Sequence, residues 1–178
     1  MRVITGSARG MALRTLEGND VRPTTDKVKE ALFSAIQFEI EGGRILDLFA
    51  GSGQLGIEAL SRGAESAVFV DADKNAVKIV KENLAKTKLD FKATVAQTDS
   101  IAFITMTDRI FDIAFLDPPY ETGLLQKALS KISDNIAEGG MVICEHPFKE
   151  ELAEEYGDLR KSKEYKYSKV AVTVYRKS

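Results

Sequence analysis

The run Asp117-Pro118-Pro119-Tyr120 carries the most specific chemistry in this 178-residue sequence. Two successive prolines remove two backbone donors and hold the chain extended. Their carbonyls are expected to lack local partners, and an aromatic ring follows at once. Such a run suits a flat ring that bears an amino group. The Asp117 carboxylate and the Pro118 carbonyl can accept from the amine, and Tyr120 can stack on the ring. An aromatic amine is a poor nucleophile, because its lone pair is delocalised into the ring. Two acceptors would hold that lone pair out of conjugation and aim it, so that positioning does most of the work. The bland alternative is a proline turn.

A second constellation lies upstream, in Asp47-Leu48-Phe49-Ala50-Gly51-Ser52-Gly53-Gln54-Leu55-Gly56. Gly51, Gly53 and Gly56 stand in G-x-G-x-x-G spacing. Glycine lets the backbone turn sharply and approach a ligand, and a helix starting there offers free N–H groups. Asp71 follows Gly51 by 20 residues, where a carboxylate can accept both hydroxyls of a ribose. These features point to a nucleoside-bearing cofactor. A dinucleotide is the obvious candidate, but Asp47 would repel a pyrophosphate, whereas it would attract the ammonium end of S-adenosylmethionine. Asp99 is read two ways: as an acceptor for an adenine amino group or as a helix cap. The candidate cofactor set is Asp47, Phe49, Ala50, Gly51, Ser52, Gly53, Gly56, Asp71 with Ala72, and Asp99 with Ser100.

The elements that position these residues alternate. Strand-like runs are expected at 44–48, 67–71, 91–96, 111–116, 141–145 and 170–175. Helical segments are expected near 54–62, 74–87, 100–106, 123–134 and 149–156. Such alternation implies a parallel sheet with helices on both faces. Ligands then sit beyond the carboxyl ends of the strands, where both constellations fall. Residues 159–167 and 170–176 are separated only by Ser168 and Lys169, an antiparallel hairpin added to the sheet. The head reads as a short β-hairpin around Gly6 and Gly10. A helix follows, with Thr24 or Thr25 as cap, a stripe of Val28, Leu32, Ala35 and Ile36, and a stop at Gly42-Gly43. The expected fold is a Rossmann-like α/β domain spanning 1–178. It has a mostly parallel seven-stranded sheet, a C-terminal antiparallel hairpin, and a β extension over 1–24.

Composition narrows the function classes. Cys144 and His146 are the only cysteine and the only histidine, so neither an internal disulfide nor a zinc site is expected. His146 reads as a loop residue near the cleft rim. No run is long enough to span a bilayer, and the N-terminus lacks a signal-peptide stretch. A reducing cytoplasm and a monomer are the expectation. Net charge is −2, but residues 1–29 carry +3 and residues 158–178 carry +5, leaving −10 between them. Basic ends around an acidic centre could present phosphate-binding surface; solvated faces are the alternative. Arg9, Arg22 and Lys27, with Tyr120, are the candidate nucleic-acid contacts.

Asp47-x-Phe49-Ala50-Gly51-Ser52-Gly53 together with Asp117-Pro118-Pro119-Tyr120 resembles a class I methyltransferase. The head Arg22-Pro23-Thr24-Thr25-Asp26-Lys27-Val28-Lys29-Glu30 resembles a narrower group, as do the opening Arg2-Val3-Ile4-Thr5-Gly6 and Leu60-Ser61-Arg62-Gly63-Ala64. That group is the RsmD family. The resemblance implies S-adenosylmethionine as cofactor and methylation of guanine N2 in 16S ribosomal RNA, at the position numbered 966. The substrate would be an assembled or assembling small ribosomal subunit. The resemblance also implies that Asp71 binds ribose, Asp99 lies near adenine, and Asp117 to Tyr120 are catalytic. Thr25, within the Arg22–Asp26 segment, would line the cleft. Where other members carry Glu after strand two, this chain has Asp71; where some carry Phe, it has Tyr120. The motif also serves adenine-N6 and glutamine-N5 methyltransferases, but those more often start it with Asn and carry an added recognition domain. An NAD-binding protein is a further alternative.

Overall fold

A computed structural model of the protein describes residues 1–16 and 26–178. The expected cap at Thr24 or Thr25, the cleft role of Thr25 and the RNA contact at Arg22 lie outside the described residues.

Strands β1 (Arg44–Asp47), β2 (Ser66–Asp71), β3 (Ala93–Gln97), β4 (Phe111–Leu116) and β5 (Ile136–Pro147) alternate with helices α2 (Gln54–Ser61), α3 (Lys74–Thr87), α4 (Ser100–Met106) and α5 (Leu124–Leu129). Helix α1 (Asp26–Ala35) precedes them, and β6 (Glu155–Tyr156), β7 (Leu159–Tyr167) and β8 (Val170–Lys177) follow. The sheet order is β3-β2-β1-β4-β5-β8-β7-β6. The pairs β1–β2, β1–β4, β2–β3 and β4–β5 are parallel, and β8 and β7 add on antiparallel. The carboxyl ends of the parallel strands therefore share one edge.

Strand residues alternate between two cores. Ile45, Phe69, Phe115, Ile143 and Val172 pack on the face covered by α1, α2 and α3. Leu46, Val68, Ala114, Val142 and Tyr175 pack on the face covered by α4 and α5. That two-sided burial explains why residues 113–116 in β4 and 141–144 in β5 are unbroken apolar runs. Local signals set the boundaries. Asp73 caps α3 by accepting from Asn75 N–H at 2.8 Å, and Lys88 ends it in the left-handed region. Asp99 caps α4 by accepting from Ala102 N–H at 2.9 Å. Among the described residues no helix is long and apolar enough to cross a membrane.

Five expectations change. The seven expected strands gain an eighth, the two-residue β6, and the helix expected over 149–156 is absent. Backbone groups there are spent elsewhere: Tyr175 donates its hydroxyl to Ala153 O at 2.6 Å, and Lys161 N–H reaches Glu154 O at 2.8 Å. Strand β5 starts at Ile136 rather than at Met141. Its partner register skips from Ile136 to Met141, a bulge in which Gly139 takes φ 77°. The N-terminal hairpin keeps a single ladder bridge, Arg2 to Ala12. Helix α1 stops at Ala35, which is exposed; Phe33 takes the inward place and meets the Phe115 ring at 5.5 Å between centroids.

Candidate active site

Strand β1 ends in a loop whose backbone favours glycine. Gly51 and Gly53 take φ 58° and 81°. A side chain at Gly56 would stand 2.4 Å from the Phe69 ring, so α2 packs directly on β2 there. The loop opens a cleft of about 330 Å³, within the range of small-molecule sites, about 300–1,000 Å³. Asp47, Phe49, Ala50, Gly51, Ser52, Asp71, Ala72, Asp99, Ser100, Asp117 and Pro119 line it. Eleven residues picked out from the sequence thus meet at one place.

Each carboxylate in the cleft has a defined local task. Asp71 accepts from Gly51 N–H and from Asp73 N–H, both at 2.9 Å. It therefore shapes the glycine loop, and each oxygen keeps a further lone pair for a ligand hydroxyl. Both readings of Asp99 are compatible with its place, since Oδ2 caps α4 while the residue faces the cleft. The Ser100 hydroxyl is committed to Leu48 O at 2.6 Å, tying α4 to the end of β1.

Asp47 is 2% exposed and accepts from Gly56 N–H at 3.0 Å. Burial raises its pKa from 3.8 to about 7; the Gly56 hydrogen bond opposes the rise and the nearby Asp71 charge adds to it. Between those values the folded protein keeps a proton that the unfolded chain releases. The group's contribution to stability is full below about pH 4 and is lost as pH rises through about 7. Replacing Asp47 with Asn is expected to flatten the pH dependence of urea unfolding across that window. An unchanged slope would mean that Asp47 ionises normally.

The Asp117–Tyr120 run follows β4 and leads into a tight turn, with Glu121 at φ 60° and Gly123 at φ 74° before α5. The Thr122 hydroxyl donates to Pro119 O at 2.9 Å. That carbonyl is used locally, contrary to the expectation that the proline carbonyls lack nearby partners. Pro118 and Tyr120 do not line the main cleft; with Pro119, Glu145, His146 and Glu150 they line a second, water-sized cavity of about 10 Å³. The tyrosine hydroxyl oxygen is buried. His146 is buried, not on the rim; its ring nitrogens meet Thr173 Oγ1 at 2.8 Å and Pro147 O at 2.9 Å.

Several cleft residues carry no sequence motif. Met1, Thr15 and Leu16 place the N-terminal segment over the cleft, and Gln54, Leu55 and Leu124 complete it. Asn83 of α3 holds that segment in place. It accepts from Arg14 N–H at 2.8 Å and donates to both Arg14 O and Ser52 O at 2.9 Å.

The basic candidates divide. Lys27 is exposed in the first turn of α1. Arg9 lies on the 6–10 loop, which binds Ser61 at the end of α2 remote from the glycine loop. Lys29, counted above as a surface charge, is 0% exposed and pairs with the buried Glu58 at 3.2 Å. Near the C-terminus, Arg160, Lys161, Lys166 and Arg176 each pair with a carboxylate. Among the described residues Lys163 and Lys169 have no such partner. Also among the described residues, no group of three or more His, Cys, Asp or Glu side chains could hold a metal ion.

Comparison with known proteins shows the family. Residues 1–176 match the family described as Conserved hypothetical protein 95. Bacillus subtilis YlbH is 43% identical over 182 residues, covering 99% of each chain. The Haemophilus influenzae protein named Ribosomal RNA small subunit methyltransferase D is 39% identical over 138 residues, covering 76% of this chain and 72% of that one. The solved structure of Escherichia coli YhhF superimposes with a TM-score of 0.87 at 31% identity, covering 100% of this chain and 98% of that one. The glycine loop, the Asp-Pro-Pro-Tyr run and the N-terminal segment are thus carried on a shared fold, and the chain belongs to the RsmD family.

Proposed function

We propose that this protein methylates the exocyclic N2 amine of a guanine in 16S ribosomal RNA, the base numbered 966 by family resemblance, with S-adenosylmethionine as donor. One observation carries the reading. A single cleft joins the ribose-type carboxylate Asp71 and the adenine-side Asp99 to Asp117 and Pro119. A nucleoside-bearing donor and an amino-bearing acceptor can therefore meet there. When bound, S-adenosylmethionine supplies a methyl group activated by a sulfonium.

The chain's residues do the rest. Asp71 accepts the ribose hydroxyls, Asp99 accepts from adenine, and the glycine loop leaves room for the donor's amino-acid end. Asp117 and the Pro118 carbonyl accept from the guanine amine and hold its lone pair toward the methyl group. Tyr120 presents a ring to the base. Lys27, Arg22 and Arg9 bind phosphates, and Arg9 does so on a surface away from the cleft. The substrate is a ribosomal subunit in the cytoplasm, met by a monomer, and no metal takes part.

Purified protein, labelled S-adenosylmethionine and small subunits from cells lacking the gene are expected to yield N2-methylguanosine on nuclease digestion. Label in N6-methyladenosine or in ribosomal protein would replace guanine with another amine. Within the cleft, Asp71→Ala is expected to weaken S-adenosylmethionine binding by about 1–3 kcal/mol, the scale for hydroxyls left without their acceptor. Calorimetry showing unchanged affinity would remove Asp71 from the site.

A further inference from the structure

Gln54 is the first residue of α2 and directly follows Gly53. Neither the glycine pattern nor the Asp-Pro-Pro-Tyr run assigns it a task. It lines the cleft, is 8% exposed, and its Oε1 is buried without a hydrogen-bond partner among the described residues. A buried acceptor left unmet costs stability, so such an atom is a natural place for a ligand donor. Two neighbours narrow the ligand's chemistry. Asp47 lines the same cleft, and its carboxyl oxygen not engaged by Gly56 N–H is a second acceptor. Asp47 takes the Gly56 N–H of the first turn of α2, so the N–H groups of Gln54 and Leu55 are the ones left there for an anion. An acceptor pair beside such a helix start matches a zwitterion, an ammonium next to a carboxylate.

We propose that Gln54 binds the amino-acid end of the methyl donor, its side-chain carbonyl accepting from the α-ammonium. The proposal rests on the reading of the cleft as an S-adenosylmethionine site and adds a residue that selects for an intact amino-acid tail. The ribose and adenine are held at the Asp71 and Asp99 end, so Gln54 acts only on ligands that carry the tail.

The test is calorimetric titration of the purified protein with S-adenosylmethionine, S-adenosylhomocysteine and 5′-methylthioadenosine, which lacks the amino acid. Gln54→Leu is expected to weaken the first two roughly tenfold, the scale of one hydrogen bond to a charged group, and to leave the third unchanged. Gln54→Glu keeps an acceptor and is expected to bind the first two at least as well as wild type. Because Gln54→Leu removes an unmet buried carbonyl, the melting temperature of the free protein should not fall. Equal loss for all three ligands, no loss for any, or Gln54→Glu failing like Gln54→Leu would overturn the proposal. Wild-type protein that binds none of the three would instead overturn the cofactor reading on which it rests.

Discussion

Asp117→Ala is expected to cut single-turnover methylation by about a hundredfold or more, the usual scale when a positioning group is lost, while S-adenosylmethionine affinity stays near wild type. The expectation rests on the division of labour proposed above for the sheet edge. Strands β1 and β2 end in the glycine loop and Asp71, which shape the donor's half of the cleft. Strand β4 leads into Asp117, on the acceptor's half. Losing one of two acceptors frees the amine to return to conjugation with its ring. Tyr120→Ala should act on base affinity instead, since a stacked ring is worth about 1–3 kcal/mol per base. Tyr120→Phe keeps the ring and should keep the rate, although the buried hydroxyl makes a stability cost reasonable. Full single-turnover rate in Asp117→Ala, or equal losses in Tyr120→Phe and Tyr120→Ala, would return the run to a structural turn.

Glu58→Ala is expected to destabilise the protein by about 3–5 kcal/mol, the cost of stripping one partner from a buried ion pair. Glu58 is the hub that ties the N-terminal segment to the sheet domain. Its two oxygens accept from Ile4 N–H at 2.8 Å and Thr5 N–H at 3.0 Å. They also meet Lys29 Nζ at 3.2 Å and Arg62 Nε at 2.9 Å. Lys29 in turn donates to Arg2 O at 3.1 Å. Its pKa is pulled down by burial and partly restored by Glu58. Without the carboxylate, a buried ammonium loses its ion-pair partner and two part-buried N–H groups lose their acceptor. Cofactor affinity should fall with stability, because Met1, Thr15 and Leu16 of the same segment line the cleft. Pairing Glu58→Gln with Lys29→Met removes both charges and should recover most of the loss. Urea unfolding decides the matter, and a change below about 1 kcal/mol would give Glu58 the energetics of a surface pair.

Most of the architecture was legible because it depends on patterns short enough to see in sequence. Helices over 74–87 and 100–106 and the hairpin around Ser168-Lys169 appear where the apolar spacing and turn residues put them. The glycine loop and the Asp-Pro-Pro-Tyr run fall on one sheet edge because parallel strands carry their carboxyl ends together. What escaped depends on contacts distant in sequence. Lys29 looks like any surface lysine until Glu58, 29 residues on, is folded against it. Asn83 carries no motif, yet it joins Arg14 to the glycine loop. Gln54 stands among the glycines and is passed over because only its burial marks it. The helix expected over 149–156 fails because its acidic run holds one buried aliphatic residue, Leu152, while Tyr175 and Lys161 engage its backbone.

The most direct test of the central claim is a map of methylated bases in 16S ribosomal RNA from cells with and without this gene. Deletion should remove a single N2-methylguanine, at the position numbered 966. Re-expression of the wild-type gene should restore that mark and the Asp117→Ala gene should not. A ribosomal RNA whose methylation pattern is identical in both strains would contradict the account.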